Sequence, residues 1–498
     1  MTSDATLSSV RPGLQAGTGA APPLDEQLLD RLRAAVGADG LITDLGALLV
    51  YEADGLMAYR ARPRAVVLPR DTAQTAAAVR ALAAAKVPFV ARGSGTGLSG
   101  GALPLNGAVV VGTARMNSIL RLDAVNRLAV VQPGLVNVQL SAAAAQHGLL
   151  YAPDPSSQTA CTIGGNVAEN AGGPHCLKYG VTLNHVIGLT VVLSDGEVVR
   201  LGGRGGEQPG YDLLGLFIGS EGTFGIATEI EVRLTPVPEG VETLLALFPE
   251  VDQASRAVSA IIAGGMLPAA LEMVDQQAIK AVEASAYAAG LPTDIGGALV
   301  IELDGPVAGL DAEARQAEQI CRNAGATQVQ RAADEAERQR LWYARKKAFG
   351  AMGRLAPDVL VQDACVPRSK LPQALRACYD IAARWDLMIC NTFHAGDGNL
   401  HPTILFDRRN PDQVTRVEHA SMEMMKACVD LGGTMTGEHG VGYDKKDKLP
   451  LVCGPEEIAL MCQIRDVFDP AGIANPEKIL PSHGCREWTG AATWTDRA

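Results

Sequence analysis

Short apolar runs and alternating stretches define the first half of the chain. Apolar positions in residues 25–36 recur at helical spacing, and the alanine-rich stretch 72–86 predicts a second helix with Asp71 or Thr72 as its N-cap. Asp195-Gly196 predicts a hairpin turn between two strands. Runs rich in β-branched residues predict strands at 65–68, 87–90, 108–111, 120–123, 128–131, 186–193 and 197–201. This half therefore predicts an α+β domain.

Longer helical stretches alternate with strand candidates from residue 240 to about 406. Helices are predicted at 252–263, 276–289, 312–323 and 371–384, and strands at 243–248, 298–303, 359–362 and 387–390. One antiparallel sheet with helices on one face would satisfy this pattern. A last helix is predicted at 455–467.

Changes in composition divide the chain into five parts. Residues 1–24 and 482–498 are polar and are predicted to be disordered tails. Between them we predict a first domain at 25–238, a second domain at 239–447 and a C-terminal segment at 448–481.

Five glycines fall within the ten residues Arg92–Gly101, directly after a predicted strand. Backbone without side chains lets several N–H groups converge on an anion, and Arg92 adds a charge that suits a phosphate. Three of the glycines match the G-x-G-x-x-G fingerprint, but that motif requires a helix directly after it. Here the chain continues through Pro104 into another strand, which argues against a doubly wound dinucleotide fold. A tight turn without a ligand remains the alternative.

Composition narrows the classes of function. With 498 residues, 47% hydrophobic and 20% charged, the chain is typical of a soluble protein of two or three domains. The net charge of −12 argues against nucleic acid or an anionic membrane as the main partner. No run of 18 apolar residues and no signal peptide are present, and no C-x-x-C pair predicts a metal cluster. We expect a cytoplasmic setting.

His394 and His401 are candidate metal ligands. They lie seven residues apart in a stretch whose glycines and Pro402 argue against a helix. An ordered loop between strands at 388–393 and 403–406 would bring both imidazoles to one point, where an added carboxylate would complete a common divalent-metal set. Separate hydrogen bonds for the two histidines are the alternative. His147, His175, His185, His419 and His483 are predicted to be structural or surface residues.

Several motifs in the expected order resemble the FAD-binding domain of vanillyl-alcohol-oxidase-type flavoproteins. They are residues 92–104, 153–156 with 162–166, and 213–226. Residues 394–402 and 437–440 resemble the D-2-hydroxy-acid dehydrogenase branch of the glycolate-oxidase type. The resemblance implies a two-part FAD-binding domain of the PCMH type at 25–238, a cap domain at 239–447 that carries the metal and catalytic motifs, and a C-terminal segment returning to the FAD domain.

The resemblance also implies that glycine-bearing segments hold FAD. Some relatives attach FAD through a histidine in the first loop; since this loop has none, we predict a dissociable, non-covalent flavin. The candidate FAD-binding residues are Arg92, Gly93, Ser94, Gly95, Thr96, Gly97, Leu98, Pro153, Asp154, Ser157, Thr162, Gly164, Gly165, Asn166, Glu221, Gly222, Gly225, Ile226 and Asn475.

The family motif further implies that Glu438 joins His394 and His401 around a divalent cation such as zinc, manganese or iron. His439 matches the catalytic base, and a histidine beside a cation is suited to take a hydroxyl proton. Arg345 matches the arginine that binds the substrate carboxylate, for which a planar guanidinium is well shaped. A solvated turn histidine and an exposed helix charge are the respective alternatives.

The reaction that the resemblance implies is FAD-dependent oxidation of a small D-2-hydroxy acid, glycolate or D-lactate, with hydride passing from C2 to flavin N5. Electrons would pass to FAD-binding and iron–sulfur partner subunits or a quinone-linked acceptor, and such subunits would place the protein at the inner membrane. Three alternatives stay open: D-2-hydroxyglutarate as the substrate, a metal-dependent hydrolase or oxygenase using the His-His-Glu set, and a flavoprotein scaffold without turnover.

Overall fold

The computed structural model describes residues 24–56, 58–203 and 209–481. The predicted tails therefore lie outside the described residues, apart from Leu24, and so does His483. Within the described residues, no helix is long and apolar enough to cross a membrane.

The first domain contains seven helices and eleven strands among the described residues. The helices are α1 (Glu26–Val36), α2 (Leu45–Leu48), α3 (Thr72–Ala84), α4 (Asn137–Ala145), α5 (Ile163–Glu169), α6 (Cys176–Tyr179) and α7 (Leu213–Phe217). The strands are β1 (Leu41–Ile42), β2 (Val66–Val67), β3 (Phe89–Arg92), β4 (Val109–Gly112), β5 (Ile119–Asp123), β6 (Leu128–Val131), β7 (Leu149–Leu150), β8 (Val186–Val192), β9 (Val198–Gly202), β10 (Ile226–Arg233) and β11 (Thr235–Pro236).

Two sheets form the first domain. The four-stranded sheet has the order β1-β2-β4-β3, with β2, β4 and β3 parallel, and α1 and α3 pack against it. The antiparallel five-stranded sheet has the order β5-β6-β10-β8-β9. The glycine-rich loop links β3 to its parallel neighbour β4 through a single 3-10 turn, Leu105–Gly107. The helix of a doubly wound nucleotide-binding unit does not follow this loop.

The cap domain contains six helices and nine strands. The helices are α8 (Val251–Ala263), α9 (Gln276–Glu283), α10 (Val307–Asn323), α11 (Glu335–Met352), α12 (Leu371–Arg384) and α13 (Pro411–Asp430). The strands are β12 (Gly240–Phe248), β13 (Ala270–Asp275), β14 (Gly297–Gly305), β15 (Gln328–Arg331), β16 (Asp358–Val361), β17 (Ala364–Cys365), β18 (Met388–His394), β19 (Asn399–Leu400) and β20 (Pro402–Phe406).

All nine cap strands belong to one antiparallel sheet, whose main path is β15-β12-β14-β13-β18-β19-β17. Helices α8, α10 and α12 cover one face of this sheet, and α9 and α11 cover the other. The prediction of helices on one face of the cap sheet is therefore incomplete, because helices cover both faces. The central strands are apolar on both faces, so each face needs a covering layer.

The C-terminal segment contains α14 (Pro455–Phe468) and then lies against the first domain. The backbone N–H of Phe89 donates to the carbonyl of Ile473 at 2.9 Å, and the N–H of Asn475 donates to the carbonyl of Phe89 at 2.8 Å. This segment therefore extends the parallel sheet next to the glycine-rich loop.

Candidate functional site

The two candidate histidines lie at the ends of a tight turn. His394 is the last residue of β18 and pairs with Asn399 of β19, and His401 directly precedes β20. The turn at residues 395–398 therefore returns the chain antiparallel to itself within four residues. The two imidazole centroids are 5.2 Å apart, with ring planes at 90°.

Glu438 joins the two imidazoles. Its Oε1 lies 3.0 Å from Nε2 of His394 and 3.2 Å from Nε2 of His401. On the opposite ring nitrogens, His394 Nδ1 lies 2.7 Å from Glu272 Oε1 and His401 Nδ1 lies 3.2 Å from the carbonyl of Gln362. Because these acceptors hold the Nδ1 protons, both Nε2 atoms are directed to one point, which is the arrangement typical of metal-ligating histidines. The donor set fits a divalent cation.

The charges around the point where the two Nε2 atoms converge also favour a bound cation. Burial by itself would lower the pKa of His394, but Glu272 and Glu438 outweigh it and hold this pKa well above its usual value. Burial likewise opposes ionisation of Glu438, yet His394 and His401 lower its pKa well below its usual value. One buried and one partly buried carboxylate therefore require positive charge here, and a divalent cation bound between neutral imidazoles would supply it.

A second group of possible ligands shares one histidine with the first. Asp363, His401 and His439 also present their ligand atoms close together. The oxygens of Asp363 are already engaged, since Oδ2 accepts from the Thr436 hydroxyl at 2.6 Å and from the backbone N–H of Gly437 at 3.0 Å. The set of His394, His401 and Glu438 therefore fits a cation better.

His439 lies directly beside the metal candidates. Its ring stacks on that of His401, with centroids 4.8 Å apart and an angle of 11°. Its Nδ1 lies 3.9 Å from Asp363 Oδ2 and its Nε2 lies 3.8 Å from Glu438 Oε1. Burial lowers the pKa of His439 to about 4. The imidazole is therefore neutral at pH 7 and has a nitrogen that can accept a proton.

Arg345 lies on α11 and is only 9% exposed, so it is not an exposed helix charge. Its Nε lies 2.7 Å from Glu272 Oε2, and Glu272 is fully buried. Glu272 therefore contacts Arg345 through one oxygen and His394 through the other, which fixes the guanidinium close to the candidate metal ligands.

Three glycine-bearing segments meet around one cavity in the first domain, with a volume of about 60 Å³. A Cβ atom on Gly93 would collide with the Thr162 hydroxyl, so only glycine allows the first loop to approach α5 this closely. Residues 94–98 continue the same loop, with Ser94 exposed and the others half-buried. The candidate residues that line the cavity are Arg92, Gly93, Gly164, Gly165, Gly222, Gly225 and Ile226.

Buried polar atoms in this part of the first domain have no hydrogen-bond partner among the described residues. Unpaired buried groups are costly, so each requires a partner. A ligand with phosphate, hydroxyl and ring carbonyl groups would satisfy them, and a flavin dinucleotide fits on this ground. These atoms are Arg92 Nη1, Ser99 Oγ, Asn166 Nδ2, Ser220 Oγ and Asn475 Oδ1.

Other FAD candidates have protein partners. The carbonyl of Pro153 accepts from Asn137 Nδ2 at 2.9 Å, and Asp154 Oδ2 lies 2.7 Å from His175 Nδ1 at the contact with the cap domain. Ser157 lies in a turn before α5. Asp154 therefore belongs to the domain contact.

Glu221 and Glu169 of the first domain lie against the loop that carries His439. Glu221 accepts the backbone N–H groups of Val441 and Gly442, each at 2.7 Å. Burial raises the pKa of Glu221 to about 7 against these donors, and burial raises the pKa of Glu169 well above its usual value. Since Glu169 Oε2 has no donor among the described residues, Glu169 holds the proton of this pair.

Sequence reasoning did not find Glu272, Asp363, Lys445 or Glu169. None of them lies in a glycine-rich motif next to a histidine, and their roles depend on strand pairing or on contacts between distant loops.

Two family models match the chain. The model described as "FAD binding domain" matches residues 63–202, and the one described as "FAD linked oxidases, C-terminal domain" matches residues 237–479. Together they span most of the described residues, in the order of the first domain and the cap domain.

Curated relatives are similar over nearly the whole chain. The glycolate oxidase subunit GlcD of Escherichia coli (strain K12) is 45% identical over 473 residues, which is 94% of each chain. GlcD of Bacillus subtilis (strain 168) is 45% identical over 87% of this chain and 92% of its own. A D-lactate dehydrogenase of Archaeoglobus fulgidus is 34% identical over 86% of this chain and 94% of its own.

Solved structures share the fold at low sequence identity. p-Cresol methylhydroxylase with substrate bound superimposes with a TM-score of 0.78 at 18% identity, covering 91% of this chain and 96% of its own. 4-Ethylphenol oxidase from Gulosibacter chungangensis gives 0.75 at 19% identity, covering 91% and 97%. With the cavity, the unpaired polar atoms and both family models in agreement, the chain belongs to the FAD-linked oxidases and is an FAD-linked oxidoreductase.

Proposed function

We propose that this FAD-linked oxidoreductase oxidises a small D-2-hydroxy acid, glycolate or D-lactate, to the 2-oxo acid. The observation that carries this proposal is the convergence of His394, His401 and Glu438, with the neutral imidazole of His439 beside them. Similarity to proteins named glycolate oxidase subunit and D-lactate dehydrogenase supports the same substrate class.

The His-His-Glu set would hold a divalent cation such as zinc, manganese or iron through Nε2 of His394, Nε2 of His401 and a carboxylate oxygen of Glu438. Such a cation would lower the pKa of a hydroxyl group bound to it. Three protein ligands leave further coordination positions for the substrate.

His439 is the proposed base. Its Nδ1 faces Asp363 and its Nε2 faces Glu438, so a proton on Nδ1 is favoured by the carboxylate of Asp363. The tautomer with Nδ1 protonated leaves the lone pair of Nε2 on the side of the candidate metal ligands. Nε2 would therefore accept the hydroxyl proton of the substrate.

Arg345 is the proposed partner of the substrate carboxylate. Glu272 Oε2 lies 2.7 Å from its Nε, an ion pair that holds the guanidinium near the candidate metal ligands and leaves the two terminal nitrogens as a planar pair of donors. Salt bridges of this geometry position a carboxylate and restrict its rotation, so C2 of the substrate would be held in one orientation.

FAD, held non-covalently, would supply the hydride acceptor when bound. The protein contributes the position of the substrate, the removal of its hydroxyl proton and a buried setting in which these charges act strongly. We further propose that electrons leave through a partner subunit, because the relatives at 45% identity are named as subunits. The iron–sulfur cluster of that partner is what the family resemblance implies.

The direct test is anaerobic reduction of the purified yellow holoprotein by a panel of acids: glycolate, D-lactate, L-lactate and D-2-hydroxyglutarate. Rapid bleaching of the flavin by glycolate or D-lactate, and slow or no bleaching by L-lactate, is the expected result. Fastest bleaching by D-2-hydroxyglutarate would replace the proposed substrate. A flavin that none of the acids bleaches would contradict the proposed function.

A further inference from the structure

The candidate ligand Glu438 and the candidate base His439 lie in one irregular stretch, residues 436–442, which we name the catalytic loop. This loop contains no helix or strand, so its shape depends on what its backbone polar groups contact. Both active side chains project from it, and their positions are therefore set by whatever holds this backbone.

A carboxylate of the cap domain binds the first half of the catalytic loop. Asp363 lies between β16 and β17, and its side chain is fully buried. It accepts the backbone N–H groups of Gly437 at 3.0 Å, Glu438 at 3.3 Å and His439 at 2.9 Å. It also accepts the Thr436 hydroxyl at 2.6 Å.

A lysine lies against the same carboxylate. The Nζ of Lys445 is 3.3 Å from Asp363 Oδ2, and both side chains are buried. Consecutive N–H groups directed at one anion form a stable concave binding site.

A carboxylate of the first domain binds the second half of the catalytic loop. Glu221 accepts the N–H groups of Val441 and Gly442, both at 2.7 Å. Its own backbone has φ of 51°, a left-handed conformation that is unusual for glutamate, and Asn475 Nδ2 donates to its carbonyl at 2.6 Å. The surrounding structure thus maintains a strained backbone conformation that directs this carboxylate at the loop.

The two carboxylates divide the loop at Gly440. Of the six N–H groups from Gly437 to Gly442, five donate to Asp363 or Glu221. Gly440 has φ of 82°, and a Cβ atom there would collide with oxygens of Glu169 and Glu221. Glycine is therefore required where the backbone passes from one carboxylate to the other.

We propose that Asp363 and Glu221 are positioning residues that form a two-carboxylate clamp, one from each domain, which fixes Glu438 and His439 relative to His394 and His401. This inference rests on the proposed function and extends it. Neither clamp residue contacts the substrate in this scheme. The clamp occupies the backbone donors of the loop, so the carboxylate of Glu438 stays available to a cation, and it makes the geometry of the metal site depend on the position of the first domain.

Two variants and one matched control test the clamp. Asp363→Asn and Glu221→Gln each keep the shape but replace an oxygen by an NH2 group that faces N–H donors. The control is Asp275→Asn. Asp275 is also buried in the cap domain and also accepts several donors, from Ala278, Tyr379 and Asn391, but it contacts none of the candidate ligands.

The measurements are the dissociation constant of the divalent metal, by competition with a chromophoric chelator, the FAD content, and kcat at saturating metal. Loss of a group that orients a metal ligand typically weakens metal affinity about 10- to 100-fold. We expect both clamp variants to raise the metal dissociation constant at least about tenfold and to lower kcat. FAD should be retained, because the carboxylate of Glu221, although Glu221 is a candidate FAD-binding residue, faces the catalytic loop and does not line the cavity of the first domain. The control should stay within about twofold for both quantities.

Three outcomes would overturn the clamp: metal affinity within twofold of wild type in both clamp variants, an equal loss in the control, or complete loss of metal in Asp363→Asn with normal affinity in Glu221→Gln. The last would identify Asp363 as a ligand.

If Asp363→Asn does not fold, Thr436→Val removes one donor only and should still weaken metal binding. A wild-type protein that binds metal but oxidises no hydroxy acid would contradict the proposed function and leave the affinity test of the clamp intact.

Discussion

In both His394 and His401, the ring nitrogen Nε2 faces Glu438 and the ring nitrogen Nδ1 faces another protein acceptor. Glu272 holds His394, and the carbonyl of Gln362 holds His401. These contacts fix both tautomers and both ring orientations before any ligand arrives, so little ordering would be needed when a cation binds. At the scale of single residues, the site is preorganised by buried acceptors behind the ligands.

The first expected result at this scale concerns His439. His439→Ala removes the proposed proton acceptor and should lower kcat by about 10²- to 10⁴-fold, since general-base catalysis contributes about that much. FAD content should stay unchanged because the ring contacts His401 and not the cavity of the first domain. Stopped-flow reduction of the flavin by the best substrate measures the effect.

His419→Ala is the matched control, because His419 stacks on Trp385 at a distance from the candidate ligands. It should reduce its flavin at the wild-type rate. Reduction of the His439→Ala flavin at more than about a tenth of the wild-type rate would remove His439 from the proposed mechanism.

The sequence predicted the residues of the site that lie in glycine-flanked motifs and missed those that support them. His394, His401, Glu438 and His439 share two short segments, so local spacing pointed to them. Glu272 could be identified only from the structure, because the register of β13 with β18 pairs it with His394. A glutamate within a strand has no distinctive local signal, and its partner lies 122 residues away.

At the scale of elements, the glycine-rich loop and the N-terminus of α5 approach each other closely. Thr162 caps α5, and the absence of a side chain at Gly93 allows its hydroxyl to lie against the loop. The contact brings the first two glycine-bearing segments to the same cavity. The convergence of these two segments therefore depends on the absence of a Cβ atom at Gly93.

Gly93→Ala is therefore expected to weaken FAD binding. The added Cβ would overlap the Thr162 hydroxyl, and overpacking of a tight contact costs about 1–3 kcal/mol, equivalent to roughly a 5- to 150-fold weaker affinity. Titration of the apoprotein with FAD, followed by flavin fluorescence, measures the change.

Gly350→Ala provides the comparison. Gly350 lies in α11, is exposed, and a Cβ there would meet no atom, so the substitution should leave FAD affinity unchanged and stabilise the helix by up to about 1 kcal/mol. Equal FAD affinity of the Gly93→Ala protein and the wild type would show that the close approach is not needed for binding.

Elements with clear periodicity were predicted nearly to the residue, whereas α11, α13 and β13 were among the elements of the cap domain that were missed. The predicted helices at 371–384 and 455–467 agree with α12 and α14. Helix α11 was missed because charged residues are interspersed with the apolar positions that it buries. Strand β13 was missed because Glu272 interrupts its apolar run. Helix α13 was missed although its N-cap Asn410 and the proline that follows are typical of a helix start.

At the scale of the whole molecule, residues 172–180 of the first domain form a charged contact with the cap domain. His175 bridges Asp154 of its own domain, at 2.7 Å, and Glu302 of β14, at 3.1 Å. Lys178 and Tyr179 both bond to Asp304, which lies two positions along on the same face of that strand. The catalytic loop is held by both domains, so this contact also bears on the geometry of the candidate site.

The domain contact should make stability depend on pH through His175. Burial would lower the pKa of His175, but Asp154 and Glu302 outweigh it and raise this pKa to about 10. Because the folded pKa lies above the unfolded value near 6.5, the stabilisation is complete below about pH 6.5 and is lost as the pH rises towards 10. The pKa of Glu302 is lowered to about 2 by His175 and Arg338 against its burial, so its contribution is complete above about pH 4.5 and is lost as the pH falls towards 2.

His175→Asn is therefore expected to unfold at a lower temperature than the wild type at pH 6.5, with a difference that shrinks as the pH approaches 10. The bridge is partly open to solvent, with 26% of the His175 side chain exposed, so the loss at pH 6.5 should be about 1–3 kcal/mol and not the full cost of a buried pair. Thermal unfolding of the holoprotein between pH 6.5 and 10 measures it, and His147→Asn, at an exposed histidine, controls for the loss of an imidazole. Parallel wild-type and His175→Asn curves across this range would show that the bridge does not hold the domains together.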